Sequence, residues 1–237
     1  EIVVDVHSVA SNFSNNLEGK IFKAKAKKIL FSGNDIVGID TSKGKLECDE
    51  LILAAGEGNE EILEESNINS FPMQRRPLAM GMVFMKKKIP DIYGHFLGTS
   101  SRPRITISTH YLNEKQIFYI GGEVSESGVS LSDEDQKIQI DKFLREALSW
   151  IDLDIERIDV LRINRAETKN NKVLKPDSFF IGRKKGLMVC WPTKLAFAPL
   201  IAEGILNQMN SSKLRKRNIK RMQLDKPYIS KYPWEAN

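Results

Sequence analysis

Apolar residues recur with two periods along the chain, and the period changes where secondary structure should change. Val6, Val9, Phe13 and Leu17 fall at three- and four-residue spacing, which predicts a helix within residues 1–19, with Gly19 as its stop. Three strand signals follow, IFKAKAKKILF, DIVGIDTS and KLECDELILAAG, separated by Gly33-Asn34 and Lys43-Gly44 turns. The first two read as an antiparallel hairpin. In the third, Leu51 to Ala55 is a continuous apolar run ending at Gly56, the pattern of a strand buried in a parallel sheet. After EEILEES the segments MGMVFMKK, RITISTHYL and QIFYIGGEV read as strands. Residues 133–150 then predict a helix capped by Ser132, with Ile138, Ile140, Phe143, Leu144, Ala147 and Leu148 as its apolar stripe. DIERIDVLRINRAE is a further strand. GLMVC is a short buried one, followed by a helix through LAFAPLIAEGILNQM that starts near Thr193. The fold class this predicts is α/β (α+β): part of a doubly wound layer over 1–76, an antiparallel block over 77–166, and a return to the first layer over 167–237.

Composition narrows the setting without changing that picture. At 237 residues, 41% hydrophobic and 28% charged, the chain is long enough for one large or two small domains. It has no uncharged apolar run of about 18 residues, so no transmembrane helix is expected. EIVVDVHSVASNF has neither the basic nor the apolar region of a signal peptide. Cys48 and Cys190 stand apart, outside any CxxC, and predict reduced thiols in a cytoplasmic protein. His7, His95 and His110 are too dispersed for a zinc signature, and no metal is expected. The net charge of +5 gathers at Lys20–Lys28 and Lys213–Arg221. Those clusters read either as solvated surface or as a patch for anionic lipid or RNA; the absence of aromatics in the second argues against base stacking.

Two segments carry candidate chemistry. The first is LILAAGEGN. Ligands of doubly wound folds lie beyond the carboxyl ends of the parallel strands, and Ala54, Ala55 and Gly56 would let a cofactor approach the backbone there. An ordinary strand-to-loop turn is the other reading. The GxG within AGEG is not a GxGxxG, and the chain contains none. The second is GLMVCWPTKLAFAP, a strand running into a helix start. Free amides and Lys194 would there favour an acceptor or an anion, with Thr193 as the cap.

LILAAGEGN, then RINRAE with PDSFFIG, then GLMVCWPTKLAFAPLIAEGIL occur in the order and spacing of the second half of the FAD-dependent glycine/D-amino-acid oxidase superfamily. RPLAMGMVF, YGHFLG, PRITISTH and YIGGEVSESGV resemble a bacterial branch of FAD-dependent oxidoreductases, and the resemblance covers essentially the whole chain. It implies an FAD-binding layer plus an antiparallel substrate domain. It implies that Ala54, Ala55 and Gly56 pack beside the dinucleotide, that the backbone near Ala26 meets the adenine, and that Trp191, Pro192, Thr193 and Lys194 face the flavin. Arg165 takes the place of the arginine that grips the substrate carboxylate, with Ala166 where the family has proline. Tyr93, His95, Arg104 and His110 are the implied substrate wall, His95 being the candidate to orient substrate; structural or surface roles are the alternative for the histidines, and solvated charge for Arg104.

The implied reaction oxidises a small amine, amino acid or hydroxy acid by hydride transfer to the flavin, with Arg165 and Lys194 as the charged groups at the reacting centre. A flavin-less remnant acting as a binding protein and an RNA-linked flavoenzyme are the competing readings. The chain does not begin with Met, and the resemblance implies a missing N-terminal segment, upstream, that carries the glycine fingerprint and a ribose-binding acid.

Overall fold

The computed structural model describes residues 3–17, 20–99, 102–169, 179–191, 194–209 and 225–235. They divide into two compact units. Unit 1 comprises Glu1–Asn15, Pro77–Asn164 and Ile229–Asn237; unit 2 comprises Asn16–Arg76 and Arg165–Tyr228.

Unit 2 carries the three predicted strand signals, with one difference. β1 (Ala26–Ser32) and β2 (Asp35–Thr41) pair antiparallel across the Gly33 turn. The segment read as a single third strand is two. β3 (Gly44–Glu47) continues the antiparallel sheet, and β4 (Leu51–Leu53) leaves it to join another. The intervening Cys48-Asp49-Glu50 makes the switch; Glu50 is held in an ion pair by Arg183. β4 lies parallel to β11 (Leu187–Trp191), with Leu51 opposite Leu187 and Leu53 opposite Val189. β10 (Phe180–Lys184) flanks β11 on its other side, antiparallel. The expected neighbouring parallel strands are therefore present. All five residues of β11 are buried, as a strand covered on both faces requires.

The sequence reading did not anticipate α2 (Gly58–Glu65), which directly follows the Ala54-Ala55-Gly56 turn. Its Ile62 and Leu63 pack with Ile29, Leu53, Leu187, Val189 and Trp191 in one core. Its Asn59 is fully buried and acts as a staple. The side-chain oxygen accepts from the Ala55 amide (2.8 Å), and Nδ2 donates to the carbonyls of Cys190 (3.1 Å) and Leu53 (3.4 Å). One amide thus satisfies backbone groups at the carboxyl ends of both parallel strands. Ser66, at the other end of α2, accepts from the Ile29 amide (2.9 Å) and ties the helix to β1.

Unit 1 is built on a five-stranded sheet of order β6-β7-β8-β5-β9. Its strands are β5 (Met73–Met85), β6 (Tyr93–Leu97), β7 (Pro103–Leu112), β8 (Lys115–Gly121) and β9 (Ile155–Thr168); the unit boundary falls within β5 and β9. Alternation sends Val83, Ile105, Ile107, Phe118 and Ile120 to one face, where Ile140, Leu144 and Leu148 meet them. Ile140 and Leu144 lie on α4 (Asp133–Ala147), and Ser132 caps it as expected, accepting from the Asp135 amide (3.1 Å). A Cβ at Gly81 would come within 2.8 Å of Ile140, so glycine permits this close approach. The opposite face offers Met82, Phe84 and Ile117 to Trp234. α1 (Val6–Asn16) forms as predicted, its expected stop Gly19 lying outside the described residues; α3 (Glu123–Ser127) follows β8, and α5 (Ala198–Gln208) follows β11.

The Asn59 staple yields a test. Asn59→Ala leaves the Ala55 amide and the Cys190 carbonyl without partners, so unfolding in urea should show unit 2 destabilised by about 2–4 kcal/mol. Exposed Lys27→Ala is the neutral reference; an equal effect at both positions would contradict the role assigned to Asn59.

Candidate functional site

The carboxyl end of β4 is the candidate site in unit 2. Ala54 and Ala55 are exposed, and Gly56 adopts φ +58°, a conformation that favours glycine. A Cβ at Gly56 would meet nothing within 4 Å, so backbone geometry and not crowding selects the glycine. The result is a turn of bare, solvent-facing backbone, held from beneath by Asn59. Ala26, at the start of β1, packs against the core of the same unit.

The neighbouring strand ends differently from expectation. Trp191 is fully buried, stacked on Phe180 with centroids 4.4 Å apart and rings 19° from parallel. It is a core residue, so only its backbone can border a ligand. Its Nε1 has no hydrogen-bond partner among the described residues. Pro192 and Thr193 lie outside the described residues. Lys194 is exposed and extended, at φ −138° and ψ 144°. The helix does not start at Thr193: Leu195–Phe197 form one 3-10 turn and α5 begins at Ala198. Pro199 explains the shift. It fits the first turn of a helix, but in a helix begun at Thr193 it would be interior and would remove a hydrogen bond. Burial pushes the Cys190 thiol above the usual range, and its Sγ lies 3.6 Å from the Leu53 carbonyl.

Arg165 lies on β9, half-exposed, in an arrangement the sequence did not disclose. Its Nε is 3.9 Å from Oε1 of Glu167, two residues along the same face of the strand. Arg76 of β5 reaches the same oxygen, with Nη1 at 3.5 Å. Glu167 is 4% exposed. Ala166 faces the other way, into the unit 2 core. Arg76 and Glu167 could have been suspected only from the arginine pair before Pro77 and the strand period of two.

Within unit 1, Tyr93, His95 and His110 share the sheet face away from α4. Tyr93 stands opposite Ser108 and His95 opposite Thr106, while the alternate Phe96 joins the α4 side. Tyr93 and His95 are exposed. Arg104 does not join them. It crosses Gly98 to α4, where Nη2 meets Glu146 (3.1 Å) and the guanidinium lies 4.6 Å from the Phe143 ring centre, beside a cleft of about 240 Å³. The irregular register between Phe96 and Leu97 accompanies this turn.

His110 is covered by the C-terminal segment of the same unit. Its ring lies 4.4 Å from that of Trp234, which stacks on Tyr232 and packs near Tyr119. Its Nε2 is 3.0 Å from Ser108 Oγ. Tyr232 donates to Asp5 (3.0 Å) and accepts from the His7 amide (3.1 Å). Of the basic clusters, Lys213–Arg221 lies outside the described residues; in the other, Lys25 pairs with Glu61 and Lys23 sits over the Tyr228 ring. Among the described residues, no group of His, Cys, Asp and Glu is arranged to hold a metal, and no helix is long and apolar enough to cross a membrane.

No family model matches the chain. A probable FAD-dependent oxidoreductase of Pseudomonas aeruginosa is 32% identical over 239 residues, covering 100% of this chain and 61% of the relative. The chain therefore spans about three-fifths of the length of that curated relative. A crystal structure of an FAD-dependent oxidoreductase from Pseudomonas aeruginosa superposes with a TM-score of 0.86 at 30% identity, over 99% of this chain and 65% of the other. Glycine oxidase from Bacillus cereus (TM-score 0.51, 13% identity, 82% of this chain and 52% of the other) shares the fold. L-proline dehydrogenase from P. horikoshii (TM-score 0.53, 16% identity, 79% and 50%) does so as well.

His110 supplies a pH test. Burial favours its neutral form and depresses its pKa below the ordinary 6.5, with Asp5 opposing weakly. The unfolded chain then binds the proton more tightly than the folded one. Stability contributed by the neutral ring is complete above the unfolded value and is lost as pH falls from 6.5 through the folded pKa. Chemical denaturation from pH 7.5 to 5 should show this slope, and His110→Phe should flatten it; an identical slope in the variant would refute the assignment.

Proposed function

We propose, from the likeness to a probable FAD-dependent oxidoreductase of Pseudomonas aeruginosa, that the chain is part of an FAD-dependent oxidoreductase of the glycine/D-amino-acid oxidase type that oxidises a small amine, amino acid or hydroxy acid with FAD as cofactor. The observation that carries this reading is the bare backbone turn at the carboxyl end of β4, where Ala54 and Ala55 are exposed and Gly56 has positive φ.

The residues present fit the cofactor. A dinucleotide needs close approach to the backbone without intervening side chains, and Ala54-Ala55-Gly56 meets that need. Asn59 engages the Ala55 amide from the interior, so the turn is fixed before any ligand arrives. The edge of β1 at Ala26 is the proposed neighbour of the adenine. FAD, when bound, supplies the electron acceptor for hydride transfer from the substrate carbon.

The chain's own residues orient and polarise. Arg165 binds the substrate carboxylate, so that the carbon bearing the amine or hydroxyl is presented in one orientation. Lys194, exposed ahead of α5, would supply a positive charge to offset the negative charge that develops on FAD when it is reduced. Within unit 1, Tyr93 and His95 are the exposed polar side chains proposed as substrate contacts; His110 is held by Trp234 and Arg104 by α4, and neither is proposed for that task.

The test begins with the absorption spectrum of the purified protein and a screen of amines, amino acids and hydroxy acids for bleaching. Lys194→Met should keep the fold and lower the reduction potential by about 30 mV, equivalent to tenfold in a two-electron equilibrium. Arg165→Lys should raise the apparent substrate constant about tenfold and leave the bound-flavin spectrum unchanged. Wild-type potential and wild-type kinetics in the respective variants would refute these roles.

A further inference from the structure

We propose that the cleft on the α4 face of unit 1 binds an α-amino acid with an apolar side chain: Arg104 takes its carboxylate, Glu146 its ammonium, and the cleft its side chain. The site is independent of the proposed oxidation, since it lies on the face of the sheet opposite to Tyr93 and His95.

The cleft encloses about 240 Å³, and its apolar lining includes Phe96 and Leu97 of β6 and Phe143 and Ala147 of α4. A cavity of about 150 Å³ accommodates benzene, so this one takes a benzyl or isobutyl group. Leu97 is 65% exposed, and Trp150, whose ring centre lies 6.4 Å from that of Phe96, is 70% exposed. Single exposed apolar side chains are common on protein surfaces. Two large ones beside one apolar cleft mark a surface that gains by being covered.

Two charged side chains complete the lining. Arg104 Nη2 donates to Glu146 Oε2 at 3.1 Å, and the two side chains are 45% and 44% exposed. Arg104 is placed by more than this pair. A Cβ at Gly98 would collide with its Cδ, so the glycine lets it cross toward α4, and the guanidinium carbon sits 4.6 Å from the Phe143 ring centre. An ion pair this exposed contributes little to stability, because water competes for both partners. Its contact uses one nitrogen of the guanidinium fork and one carboxylate oxygen. A zwitterion matches both charges at once. Its carboxylate meets the guanidinium, its ammonium meets the Glu146 carboxylate, and its net charge, like that of the pair, is zero. A fatty acid or a simple amine would satisfy one partner and face like charge at the other.

The experiment is a titration of the whole chain, isotope-labelled in its tryptophans, with L-phenylalanine at neutral pH, followed by NMR through the three indole N–H signals. The Trp150 signal, assigned with Trp150→Phe, should shift. Those of Trp191 and Trp234, buried in other clusters, should not. Phenylpropanoate lacks the ammonium, phenethylamine the carboxylate, and glycine the side chain. Each should bind about tenfold more weakly than phenylalanine, through loss of one charge-assisted hydrogen bond or of apolar burial. Arg104→Gln should weaken phenylalanine about tenfold and leave phenethylamine no weaker; Glu146→Gln should weaken phenylalanine about tenfold and leave phenylpropanoate no weaker. Circular dichroism checks both folds. Arg165→Lys should leave the Trp150 shift unchanged.

A shift confined to Trp150 that weakens in both charge variants supports the site. No Trp150 shift, a shift of Trp191 or Trp234 in its place, or loss of the Trp150 shift in Arg165→Lys overturns it. Phenylpropanoate or phenethylamine binding as tightly as phenylalanine overturns the match to a zwitterion, as does undiminished phenylalanine binding in either charge variant.

Discussion

A single buried side-chain amide fixes the geometry on which the candidate cofactor site depends. Parallel strands end with backbone groups that have no neighbour to pair with, and a turn exposed for ligand approach cannot bury them in further sheet. Asn59 resolves this conflict from below. It takes the amide of Ala55 and supplies donors to Leu53 and Cys190, so β4 and β11 are tied together although Ala54 and Ala55, beyond β4, carry almost no side chain. Leucine or valine in that place would pack in the core but leave the strand ends unsatisfied.

A buried group with more exposed partners recurs on β9. Glu167 is withdrawn from solvent, and Arg165 and Arg76 gather on it while keeping some exposure. In unit 1 the balance goes the other way. His110 is taken into the stack with Trp234, and the neighbouring Tyr93 and His95 remain exposed on the same sheet face. Residues of similar chemistry thus acquire different capacities from the elements packed over them.

Much of the fold was legible because it rests on local periodicity. The two apolar runs at Leu51 and Leu187, the strands on either side of α4, and the Ser132 cap follow from alternation, spacing and capping chemistry. What escaped the sequence depends on partners remote along the chain. α2 has a single turn of apolar residues, Ile62 and Leu63, and its helical state is fixed by packing on β1 and by Ser66. The late start of α5 was written in Pro199, but strand and helix signals around Trp191 and Thr193 obscured it. Trp191 resembled a cofactor-facing aromatic because its place in the motif was visible and Phe180, its stacking partner, was not assigned to it. The convergence of Arg76 with Arg165 needs the pairing order of β5 and β9, which no local pattern encodes.

Unit 1 is assembled from three stretches of chain that are far apart in sequence, and Tyr232 and Trp234 join the last to the others. This has a kinetic consequence during synthesis. The sheet and α4 can form while the ribosome is still translating, but the face bearing Met82, Phe84 and Ile117 stays uncovered until residues 229–235 emerge. Closure of that face is a late, long-range step, slowed by the entropy of the loop that must be closed. Until then the nascent chain displays an apolar sheet surface, the kind of transient exposure that chaperones recognise and that invites aggregation when synthesis stalls.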